Sequence, residues 1–274
     1  MKKKVYCLTF AAGILALAGS VQAASVDVAV EIQQADDNGT LVDGTLGSKL
    51  WDLSDASLWD STTVDGHTTN DLISTSMRWK NGGASGPDWG SAAEFYVNDL
   101  SFDVDPMLSF DFTLTNNTAF NQVYSVYYNT PLLPNLSGVV NSSANLTAQL
   151  TDAGGVVGAA IAPANGNGNI MRSWDLTANL NQISKNVDIG SAFIIGSGSG
   201  SNSWSVTNSL VCGSGNDACE TMATVLTLTL SKGDSVRLFG SLVQQAAVPV
   251  PAAIWLFGSA LAFVVGLRRK LPKV

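Results

Sequence analysis

The sequence predicts an all-β protein, an antiparallel β-sandwich of jelly-roll type, and two observations support that prediction. The first is composition. Residues 24–243 are rich in Gly, Ser, Thr, Asn and Val and poor in Lys and Glu, which favours strands joined by tight turns over helices. The second is a repeated alternation of apolar and polar residues, which is typical of strands with one buried and one solvated face. Because no amphipathic helical pattern separates these strands, a parallel α/β sheet is not expected.

The alternation locates the strands along the chain. It is clearest on either side of Pro106, where Leu, Phe and Val alternate with Ser, Asp and Thr at residues 100–104 and 108–114. Further strands are predicted at residues 26–33, 121–129, 145–152, 173–180, 191–195, 203–211, 226–231 and 236–242. Loops are predicted where turn-forming residues concentrate, at residues 36–47, 82–90, 162–169 and 196–202. Strands at this spacing favour two stacked sheets around one core.

The N-terminus has the features of a secretory signal peptide. Three lysines at residues 2–4 precede an apolar run over residues 5–18, which matches the charged and apolar regions of such a signal. Small residues at Val21 and Ala23 predict cleavage between Ala23 and Ala24. We therefore expect residues 1–23 to be removed on export and a β-sandwich ectodomain to span residues 24–243.

The C-terminus has the features of a membrane span. Residues 249–267 carry no charge, and as a helix they would extend about 28 Å, close to the thickness of a bilayer's hydrocarbon core. Arg268, Arg269 and Lys270 follow directly and mark the cytoplasmic side. The predicted order is a linker at residues 244–248, then a transmembrane helix with its basic tail within residues 249–274.

This tail also resembles a known family of sorting signals. The motif Val248, Pro249, Val250 and Pro251 precedes the run WLFGS at residues 255–259 and the basic cluster. In this order the segment is similar to a PEP-CTERM sorting signal, with Val250 in place of the central Glu. The resemblance implies a Gram-negative bacterium, an exosortase that cuts near Pro-x-Pro, and a transient stay in the inner membrane. It also implies a surface or extracellular-matrix protein linked to exopolysaccharide; a permanent tail anchor is the alternative.

Small residues in the tail suggest where a processing enzyme would dock. Gly258, Ala262 and Gly266 recur every four residues, so on a helix they lie on one face. Small residues let another membrane helix approach closely. We therefore predict that this face contacts the exosortase-type enzyme.

The charge of the ectodomain excludes some classes of partner. Of the 14 Lys and Arg residues, seven lie in the two terminal signals, which leaves seven against all 22 acidic residues and a net charge of −15 for residues 24–247. Nucleic acids and anionic membrane surfaces both require a basic footprint. Neither is therefore expected as a partner of the ectodomain.

Two cysteines remain after removal of Cys7 with the signal peptide. Cys212 and Cys219 flank the turn-forming sequence GSGNDA, which can let the chain double back as a disulfide requires. An even number of cysteines in an exported protein favours a bridge. Two free thiols are one alternative. A metal site is the other, and the chain offers no other soft ligands for it.

The sequence contains no recognisable catalytic constellation. His67, the single histidine, lies in a segment that reads as a surface turn, and the GSGSG run at residues 196–200 lacks the following helix of a nucleophile elbow. Paired carboxylates could serve glycoside hydrolysis. The acids considered are Asp103, Asp105 and Asp111, together with Glu94 or Glu31. The three aspartates fall on the solvated side of predicted strands, so no catalytic residue is assigned.

Ligand-binding residues are equally open from the sequence. Asp36, Asp37, Asn38 and Asp43 form an oxygen-rich loop of the kind that Ca²⁺ prefers. The EF-hand spacing is absent, however, so no metal or cofactor is predicted.

Aromatic rings can stack on sugars, and the four candidates in the N-terminal half are Trp51, Trp59, Trp79 and Trp89. Core packing is the alternative for each of them, and Trp89 has the most polar neighbours.

Two functions of different class therefore remain. The first, preferred here, is a non-catalytic surface or matrix protein that adheres to or structures exopolysaccharide after sorting through its tail. The second is a secreted carbohydrate-binding or polysaccharide-active module. Two carboxylates about 5–10 Å apart in a cleft would favour a hydrolase.

Overall fold

The computed structural model describes residues 26–36, 41–42, 46–53, 55, 58–64, 67–72, 77–81, 93–103, 106–153, 158–164, 168–177 and 182–246. Within them the chain forms sixteen strands and one short 3₁₀ turn at Gly215–Asp217. In chain order the strands are β1 Asp27–Ala35, β2 Gly47–Asp52, β3 Trp59–Val64, β4 His67–Leu72, β5 Arg78–Asn81, β6 Ala93–Asp103, β7 Met107–Asn116, β8 Asn121–Leu136, β9 Gly138–Thr151, β10 Ala160–Pro163, β11 Met171–Thr177, β12 Gln182–Ser184, β13 Phe193–Ile194, β14 Ser199–Cys212, β15 Cys219–Leu230 and β16 Ser235–Ala246.

The strands form two eight-stranded sheets. Sheet A has the order β12-β11-β15-β8-β1-β2, with β10 beside β15 and β13 beside β10. Sheet B has the order β14-β9-β16-β7-β6-β4-β3, with β5 beside β6. Every strand pairing among the described residues is antiparallel. The predicted all-β class and antiparallel sandwich are therefore confirmed.

The core lies between the two sheets and follows directly from the alternation. In β7 the side chains of Leu108, Phe110, Phe112 and Leu114 are buried, and the residues between them are partly exposed. They belong to one apolar cluster that also contains the inward side chains of β1 and β8 in sheet A. Because side chains alternate between the two faces of a strand, a slip of register by one residue would turn the whole set outward. Each side chain would then lose about 1.5–3 kcal/mol of burial free energy.

Three predicted loops overlap strands at one end, and the smallest overlap is at Gly47, where β2 begins inside the predicted loop at residues 36–47. β14 begins at Ser199, inside the predicted loop at residues 196–202, because Ser199 and Ser201 pair in register with Thr151 and Gln149 of β9. β10 likewise extends the sheet to Pro163, into the predicted loop at residues 162–169. The serines at the start of β14 lie on an outer face and need only backbone partners, so this part of the strand has no apolar pattern.

The predicted linker at residues 244–248 is wrong for its first three residues. β16 continues through Ala246, where it pairs with β9 as far as Val140. Gln244 is fully buried in this extension. Its amide group donates a hydrogen bond to Asp175 across the sandwich, which gives a polar residue a place inside the core.

Several predictions concern parts of the chain outside the described residues. These are the signal peptide at residues 1–23 with its cleavage site, and the tail with its sorting motif, docking face and basic cluster. Along the described ranges, no helix combines the length and apolar character needed to cross a membrane.

Candidate ligand-binding face

A shallow groove of about 370 Å³ lies on the outer face of sheet B. Strands β6, β7, β16 and β9 run side by side there, and their outward residues form its walls. The lining residues are Asp99, Phe110, Asp111, Asn145, Gln149, Arg237, Phe239, Gly240 and Ser241. The groove thus combines one partly exposed aromatic ring with carboxylate, guanidinium, amide and hydroxyl groups.

A β-bulge in β6 contributes to the groove. Val97 pairs with Phe112 and Asp99 pairs with Asp111, so Asn98 is an extra residue between two register positions. A bulge re-aims the side chains that follow it. As a result Asn98 and Asp99 are both at least partly exposed, whereas Leu100 returns to the core.

The main polar feature of the groove is a bidentate ion pair. Arg237 Nε donates to Asp111 Oδ1 at 2.9 Å and to Oδ2 at 3.0 Å, and Arg237 Nη2 also contacts Oδ2. Asn98 Nδ2 donates to Asp111 Oδ1 at 2.9 Å. The hydrogen bonds to Asp111 raise the pKa of Arg237. The guanidinium remains half exposed, with 51% of its side chain accessible, so it can contact a ligand.

Phe239 lines the groove at a position where the strand pattern calls for a polar residue. It lies on the outer side of β16 opposite Asp111 of β7 and Thr147 of β9. The Arg237 guanidinium lies 5.7 Å from its ring centroid. A partly exposed ring beside planar hydrogen-bonding groups offers an apolar platform with a polar rim.

Gly240, next to Phe239 in β16, leaves no room for a side chain. A Cβ atom at this position would lie 2.3 Å from the backbone oxygen of Asn145. Asn145 in turn is fixed to β16, because its Nδ2 donates to Ser241 Oγ at 2.7 Å and its Oδ1 accepts from Ser241 N at 3.1 Å. The amide side of the groove is therefore held in one orientation before any ligand binds.

A second polar cluster on the same face engages one of the predicted acids. Glu94 Oε2 accepts hydrogen bonds from Arg78 Nη2 at 2.7 Å and from the Tyr96 hydroxyl at 2.6 Å. These hydrogen bonds raise the pKa values of Arg78 and Tyr96. Glu94 itself is 8% exposed, which makes it a buried anchor for β5 and β6.

The structure separates the other acids considered for hydrolysis. Asp111 lies on the outer face of sheet B as predicted, whereas Glu31 faces outward from sheet A. Because stacked sheets are about 10 Å apart, these two carboxylates cannot act together on one bond. Burial raises the pKa of Glu31. The side chain of Asp103 and all of Asp105 lie outside the described part of the chain.

The remaining ligand candidates either pack against the core or lie partly outside the described residues. Trp51 and Trp79 are partly buried against the core, and the Trp51 ring centroid lies 5.7 Å from that of Phe95. The packing interpretation therefore holds for both. His67 opens β4 opposite Val64, so these two residues form the last pair of the hairpin beside the predicted turn. The side chains of His67 and Trp59, all of Trp89 and most of the acidic loop lie outside the described residues.

The predicted disulfide is present. Cys212 and Cys219 are bonded, with their Cα atoms 5.5 Å apart. Since Cys212 ends β14 in sheet B and Cys219 begins β15 in sheet A, the bridge links the two sheets. Asp175 carries a carboxylate oxygen within 4.8 Å of both sulfur atoms. Cysteines joined in a disulfide offer no thiolate ligands, so this trio is not a metal site.

Of the groove residues, only Asp111 was singled out from the sequence, and as a possible hydrolytic acid, although one further signal was available. The strand at residues 236–242 was recognised from its apolar positions alone. Phe239 breaks the alternation by placing a large ring on the solvated side, and that violation is a mark of a functional surface. The partners from β6, β7 and β9 carry no comparable signal, because they meet only through tertiary pairing.

Comparisons with known proteins add limited information. No protein-family model matches the sequence, and a search of curated proteins found no match. Three of the solved structures to which this chain is similar, all at low identity, are described here. The N-terminal cellulose-binding domain of a Cellulomonas fimi glucanase has a TM-score of 0.24 and 10% identity, over 52% of this chain and 80% of that one. A family 22 carbohydrate binding module from Clostridium thermocellum has a TM-score of 0.24 and 8% identity, over 72% and 91%.

The third similar structure is the enzymatically active domain of a tailspike protein from bacteriophage CBA120. Its TM-score is 0.26 and its identity 10%, over 70% of this chain. The match covers 20% of the tailspike chain, so this protein spans about a fifth of that length. TM-scores this low do not establish a common fold, and no function is transferred from any of these proteins.

Proposed function

We propose that the domain is a non-catalytic glycan-binding module that uses the groove on sheet B. The observation that supports this most is Phe239, a partly exposed ring set between the Asp111–Arg237 ion pair and the Asn145 amide. Sugars present apolar ring faces and a rim of hydroxyl groups, so they need an aromatic platform flanked by oriented donors and acceptors. Pre-oriented polar groups also lower the ordering cost of binding.

The charge of the domain favours a neutral glycan. With a net charge of −15 over residues 24–247, the module repels acidic polymers at low ionic strength. Both oxygens of Asp111 already accept hydrogen bonds from Arg237 and Asn98. This carboxylate therefore fixes the orientation of Arg237.

An array of immobilised neutral and uronic-acid polysaccharides tests the proposal with the full-length protein. We expect binding to neutral polymers, and we expect Phe239→Ala to weaken it at least about tenfold, or 1.4 kcal/mol. Phe120→Ala is the matched control, because Phe120 is 52% exposed in the β7–β8 connection, away from the groove. Equal binding by the two variants would place the site elsewhere. Release of new reducing ends from any bound polymer would show that the module is catalytic.

We further propose that the sandwich is a jelly roll. The chain alternates between sheets as it passes from β7 to β8, β9 and β10, and again through β14, β15 and β16. The first and last strands of this series, β7 and β16, are neighbours in sheet B. Two interleaved Greek keys produce this order.

We also propose that the protein is exported and sorted to the cell surface or matrix by its two terminal signals. The support is sequence alone: an n-region and apolar run at residues 1–23, and the Pro249-Val250-Pro251 motif before an uncharged segment and a basic end. Mass measurement of the C-terminus in extracellular material from the native host tests this. Loss of residues beyond about 251 supports sorting by an exosortase-type enzyme, and retention of the whole tail indicates a permanent anchor.

A further inference from the structure

A buried acid–base pair lies inside the sandwich, away from the groove. Asp175 of β11 and Lys185, the residue after β12, have fully buried side chains, and Lys185 Nζ contacts Asp175 Oδ1. We call them the interior pair. Lys and Asp are almost never fully buried unless they are paired, and neither takes part in the proposed glycan site.

The hairpin of β11 and β12 brings the interior pair together. Asp175 pairs with Ile183, and Lys185 N donates to Ser173 O at 3.2 Å, which continues the same register. Asp175 and Lys185 are thus diagonal neighbours on the inner face, within reach of a long side chain. Asn208 Nδ2 of β14 also donates to Lys185 O at 3.2 Å, which holds the backbone of Lys185 in place.

The surroundings of the interior pair are buried and contain one oriented donor. Met222 pairs with Asp175, and the Cys212–Cys219 disulfide lies beside it. Gln244 Nε2 donates to Asp175 Oδ2 at 2.7 Å. Among the described residues, Asp175 is the one charged group that acts on Lys185.

This environment makes the charged form of each group less favourable than it is in water. Burial lowers the pKa of Lys185 to about 8, although Asp175 opposes the change. Burial also raises the pKa of Asp175, against the effects of Lys185 and Gln244. A neutral amine is a nucleophile and a neutral carboxylic acid is an electrophile, whereas the ammonium and carboxylate forms that water favours do not condense.

We propose that Lys185 and Asp175 are joined by an intramolecular amide bond, formed by direct condensation inside the folded domain. The two groups are in contact, and positioning of this kind raises effective concentrations to about 10⁵–10⁸ M. The site is a self-modification site and needs no enzyme, metal or cofactor.

The condensation balances with the atoms present. The neutral Nζ amine attacks Cγ of the protonated carboxyl group, and the electron pair of the carbonyl moves to Oδ2, where Gln244 Nε2–H stabilises the oxyanion. One proton passes from Nζ to the Oδ1 hydroxyl, which it contacts. The Cγ–Oδ1 bond then breaks, the Cγ=Oδ2 bond re-forms, and one water molecule leaves. The product is a secondary amide that retains one Nζ hydrogen.

Mass spectrometry of the full-length protein purified from cells tests the proposal without a variant. We expect its mass to be one water molecule lower than the mass calculated for the same polypeptide with the Cys212–Cys219 disulfide. Trypsin does not cut after an amidated lysine, so residues 173–232 should appear as one peptide, since Lys232 is the next basic residue. A free peptide of residues 173–185 at its sequence mass would overturn the proposal and leave an ordinary buried ion pair.

Chymotrypsin then locates the bond. Cleavage after Leu176 and Leu180 separates Asp175 from Lys185 along the backbone, so the fragments stay together only through their side chains. Fragments that separate would overturn the assignment to this pair.

The role of Gln244 has its own matched comparison. Gln244→Leu removes the amide donor to Oδ2, and we expect unlinked peptide to accumulate. Gln245→Leu changes the adjacent exposed residue and should link as the wild type does. Equal linkage in both variants would overturn the role of Gln244 as oxyanion donor.

Discussion

Two acid–base pairs in this domain have similar chemistry and opposite surroundings. Asp111 and Arg237 meet on the outer face of sheet B, where half of the arginine side chain is accessible. Asp175 and Lys185 meet between the sheets, where nothing of either side chain is accessible. On the exposed face both groups of an ion pair keep their charges, and the pair adds little to the free energy of unfolding even when its geometry is good. Inside, the loss of hydration exceeds what the partner returns, so each charged form is less favourable than it is in water.

The pKa directions express this difference. The hydrogen bonds to Asp111 raise the pKa of Arg237, so the partner dominates. Burial lowers the pKa of Lys185 in spite of its partner. The exposed pair is therefore suited to recognition of a polar ligand, and the interior pair to chemistry between its own members.

The largest effect is expected from Lys185→Met, which replaces the base of the interior pair by an apolar residue of similar length. The variant loses the cross-link and leaves the Asp175 carboxyl buried without a base, so we expect a loss of about 3–5 kcal/mol in the free energy of unfolding. Urea denaturation measures it. A loss below about 1 kcal/mol, the range of surface pairs, would contradict the contrast between the two pairs.

The pH dependence of the same variant has a defined sign. Without Lys185, only the hydrogen bond from Gln244 opposes the effect of burial, so the folded-state pKa of Asp175 stays above the ordinary value. The native state then binds more protons than the unfolded state, so stability is greatest at low pH and falls as pH rises through about 4 towards neutrality. A melting temperature that rises over this range would contradict the assignment.

An intermediate effect is expected from loss of the disulfide beside the interior pair. For the short loop between Cys212 and Cys219, the chain-entropy relation gives about 2–3 kcal/mol. The double variant Cys212→Ala/Cys219→Ala should lower the denaturation midpoint accordingly while the slope stays nearly constant. Because the bridge closes the interior near Asp175, we also expect faster hydrogen exchange of amides in β11. Unchanged exchange would show that the bridge does not shield the interior pair.

The smallest effect on stability is expected at the exposed pair. Arg237→Gln should change the free energy of unfolding by about 0–1 kcal/mol, while weakening glycan binding because the groove loses its guanidinium. Arg172→Gln is the matched control, since Arg172 forms a looser 3.7 Å pair with Asp188 away from the groove. A large loss of stability in Arg237→Gln would mean that the groove is structural.

The sequence predicted those parts of the fold that alternation encodes. β7 and β16 were placed closely because Leu and Phe mark every second position. The Ser-rich start of β14 was missed because it buries no large side chain. The three-residue strand β12, which positions Lys185, has no pattern of its own. The disulfide was predictable because two cysteines allow one pairing, whereas the groove and the interior pair depend on residues far apart in sequence that meet through sheet register.

The position of the last strand has a mechanical consequence. β16 lies in the middle of sheet B, hydrogen-bonded to β7 along one edge and to β9 along the other. The chain leaves this strand at Ala246 towards the C-terminal segment. A pull on that segment along the axis of β16 would load the backbone hydrogen bonds to β7 and β9 together in shear. These bonds would then not open one at a time. A domain held or tugged from its C-terminal end would therefore resist extension through the strand nearest the point of load.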